Sequence, residues 1–487
     1  MSHFYVACEL GPHGGRVMLG TLHKEQLTIS ELRRFPNVPL EEKGVRHWNV
    51  AQLYHEILEG LRSAGSYDEP VDSVSCTSWG KDYLLFQSDG TLLTPAYHFE
   101  DARAAEGLKT VLSKIPAETI YEETGATNQP GSTLFQLAAE SSKRLKNASQ
   151  LLPIADGFNC LLAGVPHVEA SLAGSTQLYN PATGTWSEPL LKALRLPADL
   201  LPSIVSAGTE LGPLREDVAK ETRLTEARVI ASLSHDIAAA LAGLPVGPRE
   251  NWAFLQPGAT ALLGGPAQAP IINEVSGELG FSNGIGYGGS VFFYKPTVGL
   301  SLLDECQRFW EKENRQFESE LLTHLAGSST PFESLIDPTD PQFSEPGDMP
   351  LKIQAYCKET EQEVPRKPGP VFRCVLESLA LHYRRVLREV AYLTGSDITH
   401  LYFLGGAKHN LLNHFTANAM QVPVVVVPED AVAIGNIVVQ ALALGHIGSL
   451  EEARQIVRRS IKTETITPYA TAWNDAYDRF TSLPPPE

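Results

Sequence analysis

VFRCVLESLALHYRRVLREVAYLTGSDITHLYFLGGAKHNLLNHF, residues 371–415, carries the reading of the fold class. Its first half predicts a long helix stopped by Gly395, because glycine takes the left-handed backbone that closes a helix at little cost. ITHLYFLGG then reads as a buried strand running into a Gly405-Gly406 turn, and KHNLLNHFTANAM as a second helix. VPVVVVP and AIGNIVVQALALG repeat the pair, strand and then helix. Such alternation indicates an α/β domain.

Working outward, the chain opens as strand, tight turn, strand: HFYVACEL, GPHGG, RVMLGTL. Glycine and proline between short apolar runs are hairpin signals. NVAQLYHEILEGLRSAG has helical spacing of its apolar residues. VDSVSCTSW reads as a buried strand broken at Gly80, and YLLFQSDGTLL as a hairpin turning at Ser88-Asp89-Gly90. Residues 130–165 are expected to be helical up to Gly164, with a turn following at Asn180–Gly184. VIASLSHDIAAALAGL changes from strand to Ala-rich helix around Ser234-His235-Asp236, and PVGPREN is a linker. WAFLQPGATALLGG then repeats the opening hairpin, a pattern that suggests duplication of an ancestral domain. Residues 327–368, rich in proline and acid, are expected to be an irregular surface excursion before the closing helices EEARQIVRRSI and YATAWNDAYDRF.

A chain of 487 residues exceeds one ordinary core, so two large domains are expected. Its 39 basic and 57 acidic side chains leave a net charge of −18. Nucleic acid and anionic membranes need a basic footprint, so neither is an expected partner. A nucleotide is not excluded, because a nest of backbone N–H groups can hold an anion against the net field. The six cysteines form no CxxC pair, which argues against a disulfide scaffold or structural zinc and fits a reducing compartment. MSHFYVACELG lacks the pattern of a signal peptide, and Pro428, Glu429 and Asp430 interrupt the most apolar late stretch. A cytoplasmic protein, monomer or homodimer, acting on small molecules is the expectation.

Three glycine turns recur: Gly11–Gly15, Gly258, and Gly405-Gly406. Glycine lets backbone approach phosphate oxygens with no side chain in the way. No GxxxxGK[ST] is present, and GIGYGG at 284–289 lacks the strand-to-helix setting of a dinucleotide fingerprint. Taken singly, each turn is more often a plain hairpin or helix cap.

Their order, however, together with ACELGPHGGRVMLG, SWGKDYLLFQSDG, Ser234-His235-Asp236, NEVSG, VGLSLLDECQRFW, LYFLGGAKHNLLNHF and PEDAVAIGNI, is similar to the FGGY carbohydrate kinases from about Val6 to about Leu444. The resemblance implies an α/β chain of two actin-like (ribonuclease H-like) ATPase domains with an interdomain cleft. These would be an N-terminal sugar-binding domain over 1–246 and a C-terminal ATP-binding domain over 247–445, with a helical extension over 446–487. The domains would close over ATP, Mg²⁺ and a sugar, and the γ-phosphoryl group would pass to a primary hydroxyl of a ketose. Asp236 matches the family's general base, its competing role being to cap the helix IAAALAGL. His235, Trp79, Gly80 and Asp82 match the sugar side, where Arg103 and Gln136 are also expected. Gly11, Gly14, Gly15, Arg16, Gly258, Ala259, Gly405, Gly406 and Asn410 match the nucleotide side. Gly435 matches it too, with helix packing as its competing role.

Departures fall on the phosphate side. Glu9 stands where the family opens with an aspartate serving Mg²⁺, and Pro12, His13 and Gly14 stand where small hydroxyl residues are usual. Gly258-Ala259 replaces Gly-Thr, Ala407 a glycine, and Thr77 an aspartate. They leave open a second reading, an impaired homologue that binds sugar or nucleotide without efficient turnover.

Overall fold

The computed structural model describes residues 2–405 and 410–484. The chain forms two compact units, one of residues 1–248, 267–293 and 430–462, the other of residues 249–266, 294–429 and 463–487.

In the first unit, β1 (Ser2–Leu10), β2 (Gly14–His23), β3 (Gln26–Pro36), β4 (Ser73–Ser78), β5 (Thr209–Pro213) and β6 (Arg228–Ala231) form one sheet in the order β5-β6-β4-β1-β2-β3. The opening hairpin is β1 with β2, antiparallel, Glu9 opposite Arg16; β4 runs parallel to β1 on its other side, with Thr77 opposite Glu9. HFYVACEL is apolar almost without alternation because both faces of β1 are covered. Val6, Cys8 and Leu10 join the core that includes Leu53, Ile57 and Leu61 of helix α1 (Val50–Ala64) and Phe158 of α2 (Ile154–Ala163). On the opposite face Tyr5 and Ala7 join Ala433, Ile434 and Ile437. Helix α3 (Asp236–Ala242) follows β6 through the loop 232–235. Helix α4 (Ala431–Ala443) supplies that second face and packs on α3.

The second unit is built on β7 (Trp252–Gln256), β8 (Thr260–Ala267), β9 (Val291–Val298), β10 (His400–Phe403), β11 (Val424–Val426) and β12 (Glu464–Ile466), in the order β9-β8-β7-β10-β11-β12. β7 and β8 make the expected second hairpin, and β10 and β11 continue it in parallel. The long helix spans Pro368–Thr394 and stops at Gly395, whose φ is 66°. Asn410–Met420 is the helix after β10.

Two stretches depart from expectation. Residues 130–165 are not continuous helix: a strand at Gln150–Pro153 interrupts, pairing antiparallel with Tyr83–Phe86. Sheet pairing with YLLF overrides the local helical pattern there. Within 327–368 lies a regular helix, Met349–Glu359, with Met349, Ile353, Tyr356 and Cys357 buried along one face. Pro350 looks like a breaker but sits in the first turn, where its missing N–H costs nothing. Among the described residues no helix is long and apolar enough to cross a membrane.

Candidate active site

β1 and β4 end side by side at Leu10 and Ser78, and the carboxyl ends of parallel strands are where α/β sheets collect ligands. The loop before α3 docks there. The Ser78 amide donates to the Ser234 carbonyl at 2.8 Å, and Thr77 Oγ1 donates to the Leu233 carbonyl at 3.1 Å. A Cβ on Gly80 would stand 2.8 Å from Ser175 Oγ and 3.0 Å from His235 Nε2, so the Trp79–Lys81 backbone lies against the His235 ring. The structure thus brings Gly80, His235 and Asp236 together.

Asp236 is the first residue of α3; the cap is His235, with no side-chain capping bond. Asp236 Oδ1 accepts the Ile237 amide at 2.7 Å, and the His235 Nε2 atom is 3.7 Å away. Burial holds the Asp236 carboxyl above the usual aspartate range, with His235 and the local amides pulling it down. Its side chain nevertheless keeps 30% exposure. Burial, opposed by Asp236 and assisted by Lys81, lowers His235.

A buried acid pair holds this loop from beneath, and sequence reading missed it. Glu169 Oε2 accepts the Ser234 amide at 3.0 Å, the Ser171 amide at 3.1 Å and the Ser171 hydroxyl. Ser171 Oγ in turn accepts the His235 amide at 3.0 Å. Asp156 accepts the Ser234 hydroxyl at 2.7 Å and the Glu169 amide at 3.0 Å. Burial pushes Glu169 up to about 8, against its hydrogen bonds. The stretch between the two acids, GFNCLLAGVPHV, is mostly apolar and carries no pattern that pairs them.

Asp82 is also fully enclosed. Its Oδ2 accepts the indole N–H of Trp48 at 2.7 Å and of Trp79 at 2.9 Å, while Oδ1 accepts Gln136 Nε2 at 2.8 Å. The two indoles lie 4.6 Å apart between centroids. Burial raises Asp82 to about 6 against these donors. Between Gly80 and Asp82, Lys81 adopts φ 82°, unusual for a side-chain-bearing residue, and its Nζ donates to Gln129 at 2.7 Å. Arg103 sits elsewhere, its guanidinium 3.4 Å from the Tyr97 ring centre and 3.4 Å from Glu140; among the described residues no contact joins it to Asp236.

Where the sequence places the phosphates in this unit, Arg16 Nε donates to Glu9 Oε2 at 2.8 Å and its Nη1 donates to Asp430 at 2.8 Å. Burial pushes Glu9 up to about 7, with Arg16 pulling the other way. Glu9 Oε1 is buried without a well-formed hydrogen bond. The Ala433 amide approaches this carboxylate as well, and Oε1 can still accept from a water of a hydrated divalent cation, so the residues fit Mg²⁺ through one acceptor. Gly11, Gly14, Gly15 and Arg16 line a depression of about 600 Å³ with Pro12 and His13. Gly15 is needed for packing, since a Cβ would lie 2.4 Å from the Phe35 ring. Gly435 is the same kind of glycine, its Cβ falling 1.7 Å from the Ala239 carbonyl oxygen where α4 crosses α3. Thr77 Oγ1 accepts Asn436 Nδ2 at 2.5 Å, and Gln440 Nε2 donates to Asn436 at 2.6 Å and to the Val6 carbonyl at 3.1 Å. Thr77 therefore serves as a strut from β4 to α4.

The remaining residues expected on the nucleotide side belong to the second unit. Gly258 follows β7, its carbonyl accepting the Leu300 amide at 2.7 Å, and Ala259 borders a cavity of about 430 Å³ with Thr260, Lys295, Thr297 and Ser301. Gly405 has φ 88° and Asn410 opens the helix after it; Gly406 and Ala407 lie outside the described residues.

The chain resembles known proteins along its whole length. Residues 5–243 match the N-terminal domain of the FGGY family of carbohydrate kinases and residues 263–444 its C-terminal domain. The rhamnulokinase of Bacteroides thetaiotaomicron is 35% identical over 99% of both chains, and that of Enterococcus faecalis 35% identical over 94% of this chain and 93% of its own. In fold the chain is similar to a xylulose kinase of Lactobacillus acidophilus, TM-score 0.81 at 14% identity over 99% and 97% of the two chains. It is equally similar to the glycerol kinase of Plasmodium falciparum crystallised with ADP, TM-score 0.81 at 13% identity over 99% and 96%. The chain belongs to the FGGY family of carbohydrate kinases.

Proposed function

We propose that the protein transfers the γ-phosphoryl group of ATP, accompanied by Mg²⁺, to a primary hydroxyl of a rhamnulose-like ketose, with Asp236 as general base. The carrying observation is one part-exposed aspartate, held above its ordinary range at the start of α3 and flanked by His235 and the Gly80 backbone. A sugar hydroxyl is a poor nucleophile until its proton is accepted as the bond to phosphorus forms. A carboxylate whose basicity is raised by burial accepts that proton better than an exposed one. His235, kept neutral by its surroundings, hydrogen-bonds a hydroxyl without bringing a competing charge. Asp82 acts at one remove, fixing through its indole N–H the Trp79 ring, which is only 6% exposed in the core and supports the Gly80 turn from within. Arg16, steadied by Glu9 and Asp430, supplies positive charge beside the Gly11–Gly15 turn. Mg²⁺, when bound, would spread the phosphate charge, with Glu9 Oε1 as the atom that would hold one of its waters.

The test is ADP release over a panel of 6-deoxyketohexoses, ketohexoses and pentuloses, with Mg²⁺ and again with Mn²⁺. Turnover is expected for at least one ketose, with phosphate on its primary hydroxyl by mass spectrometry or NMR. Calorimetric binding of sugar or nucleotide with no ADP released across the panel would instead establish a binding homologue.

A further inference from the structure

We propose that His3, Asp72 and His446 form a site for one divalent transition-metal ion of the zinc class. The three residues come from distant parts of the first unit: His3 on β1, Asp72 just before β4, and His446 just beyond α4. One ligand atom from each lies within 4.8 Å of the others. His3 Nδ1 is 3.6 Å from Asp72 Oδ1, and the His3 and His446 rings stack with centroids 3.5 Å apart.

Proximity alone would say little, but two of the three groups are oriented by outer partners. Asp72 Oδ2 accepts the Phe4 amide at 2.7 Å, which leaves Oδ1 toward His3. His446 Nδ1 shares a hydrogen bond of 2.7 Å with the Tyr5 hydroxyl, which leaves Nε2 for a metal. Metal-binding imidazoles and carboxylates are held in this way, the second atom of each tied to a fixed group. Two imidazole nitrogens and one carboxylate oxygen suit zinc or cobalt, whereas magnesium takes oxygen ligands at short octahedral distances. The site therefore selects against the ion that travels with a nucleotide. Zinc–nitrogen and zinc–oxygen bonds of about 2.0–2.2 Å require the donors to draw together by about 1 Å. The His3 ring must also turn out of its 23° stack on His446 so that both in-plane lone pairs meet one ion, and the 25% and 30% exposure of the His3 and Asp72 side chains leaves room for that rotation. Exposure also admits water to the remaining coordination positions. A bound ion would clasp the start of β1 to the segment leaving α4, the helix whose opposite end follows Asp430.

The test uses the full chain stripped of metal with a chelator and titrated with Zn²⁺ against a chromophoric competitor, then with Co²⁺ followed by visible absorption. One equivalent is expected, with a zinc-dependent rise in melting temperature. His3→Ala, Asp72→Asn and His446→Ala should each weaken binding by at least tenfold and abolish that rise. Tyr5→Phe should weaken it about tenfold through the freed His446 ring. Metal-free melting temperatures report whether each variant folds, and His446→Gln replaces any that does not. Binding lost in His3→Ala but intact in His446→Ala would put the ion on backbone near His3 and overturn the proposal. So would a wild type that holds no more zinc than the triple variant.

Discussion

Asp82 shows what a single enclosed charge does to this protein. Three donors converge on it, yet burial raises its carboxyl to about 6 from 3.8. The folded state thus favours the protonated form more than the unfolded chain does. Its contribution to stability is present below pH 3.8 and is lost as pH rises through about 6, up to roughly 3 kcal/mol over that window. Asp82→Asn should keep the fold, since its amide oxygen can accept both indoles, and should flatten the dependence. Urea midpoints at pH 4.5 and 7 check this, and equal slopes in both proteins would mean Asp82 titrates normally. At Asp236, Asn should lower kcat by about 10²–10⁴-fold and leave nucleotide affinity near wild type. Wild-type kcat should fall as pH drops through a carboxyl value above the usual aspartate range, because the base is then protonated. Loss of nucleotide affinity or of folding would make Asp236 structural. Glu9→Gln removes the charge paired with Arg16 and keeps the volume. Turnover and the Mg²⁺/Mn²⁺ preference should both change, whereas a change in melting temperature alone would assign Glu9 to the ion pair only.

Among elements, the loop leading into α3 is the informative one. Its sequence, Ser234-His235-Asp236, was legible as a strand-to-helix switch, but the clamp beneath it was not. Glu169 lies 67 positions before Asp236 in the chain, and no local pattern announces that its Oε2 gathers the Ser234 amide and both donors of Ser171. Glu169→Ala should lower kcat more than it raises the sugar KM, since the loop is misplaced while the Trp48, Trp79 and Gln136 bonds to Asp82 survive; Glu169→Gln should restore most of kcat. Equal effects of Ala and Gln would count against positioning. Similar reasons explain the other misses. The helix Met349–Glu359 hides behind Pro350 and acidic flanks, and Gln150–Pro153 is a strand only because Tyr83–Phe86 pairs with it. At Gly435, where the sequence left nucleotide binding and helix packing both open, the α3–α4 crossing supplies the packing role. Gly435→Ala should cost about 1–3 kcal/mol by forcing the helices apart, visible as a lower melting temperature together with reduced kcat.

At the scale of the whole molecule, sequence order and spatial grouping part company. Two hairpins opening two halves of the chain were readable from turn chemistry, and both are present. That residues 430–462 rejoin the first unit was not readable, because the signal is tertiary. Tyr5, Ala7, Met18 and Leu22 form an apolar face whose partners, Ile434 and Ile437, lie more than 400 positions on. The polar partners are equally distant: Ser73 Oγ donates to Gln440 Oε1 at 2.7 Å, and Thr77 receives Asn436. Residues 1–248 alone would therefore expose one whole face of the β1–β2 hairpin and leave buried polar groups without partners. Contiguous apolar patches of that kind drive association. The isolated fragment is expected to aggregate, or to bind a hydrophobic dye and unfold without cooperativity. Joining residues 267–293 and 430–462 to it through flexible linkers should restore a sharp thermal transition, because α4 then covers both the apolar face and the Thr77–Ser73 hydroxyls. A soluble, cooperatively melting 1–248 fragment would show that the face of β1 is stable uncovered, and that α4 contributes to the site without being needed for the fold.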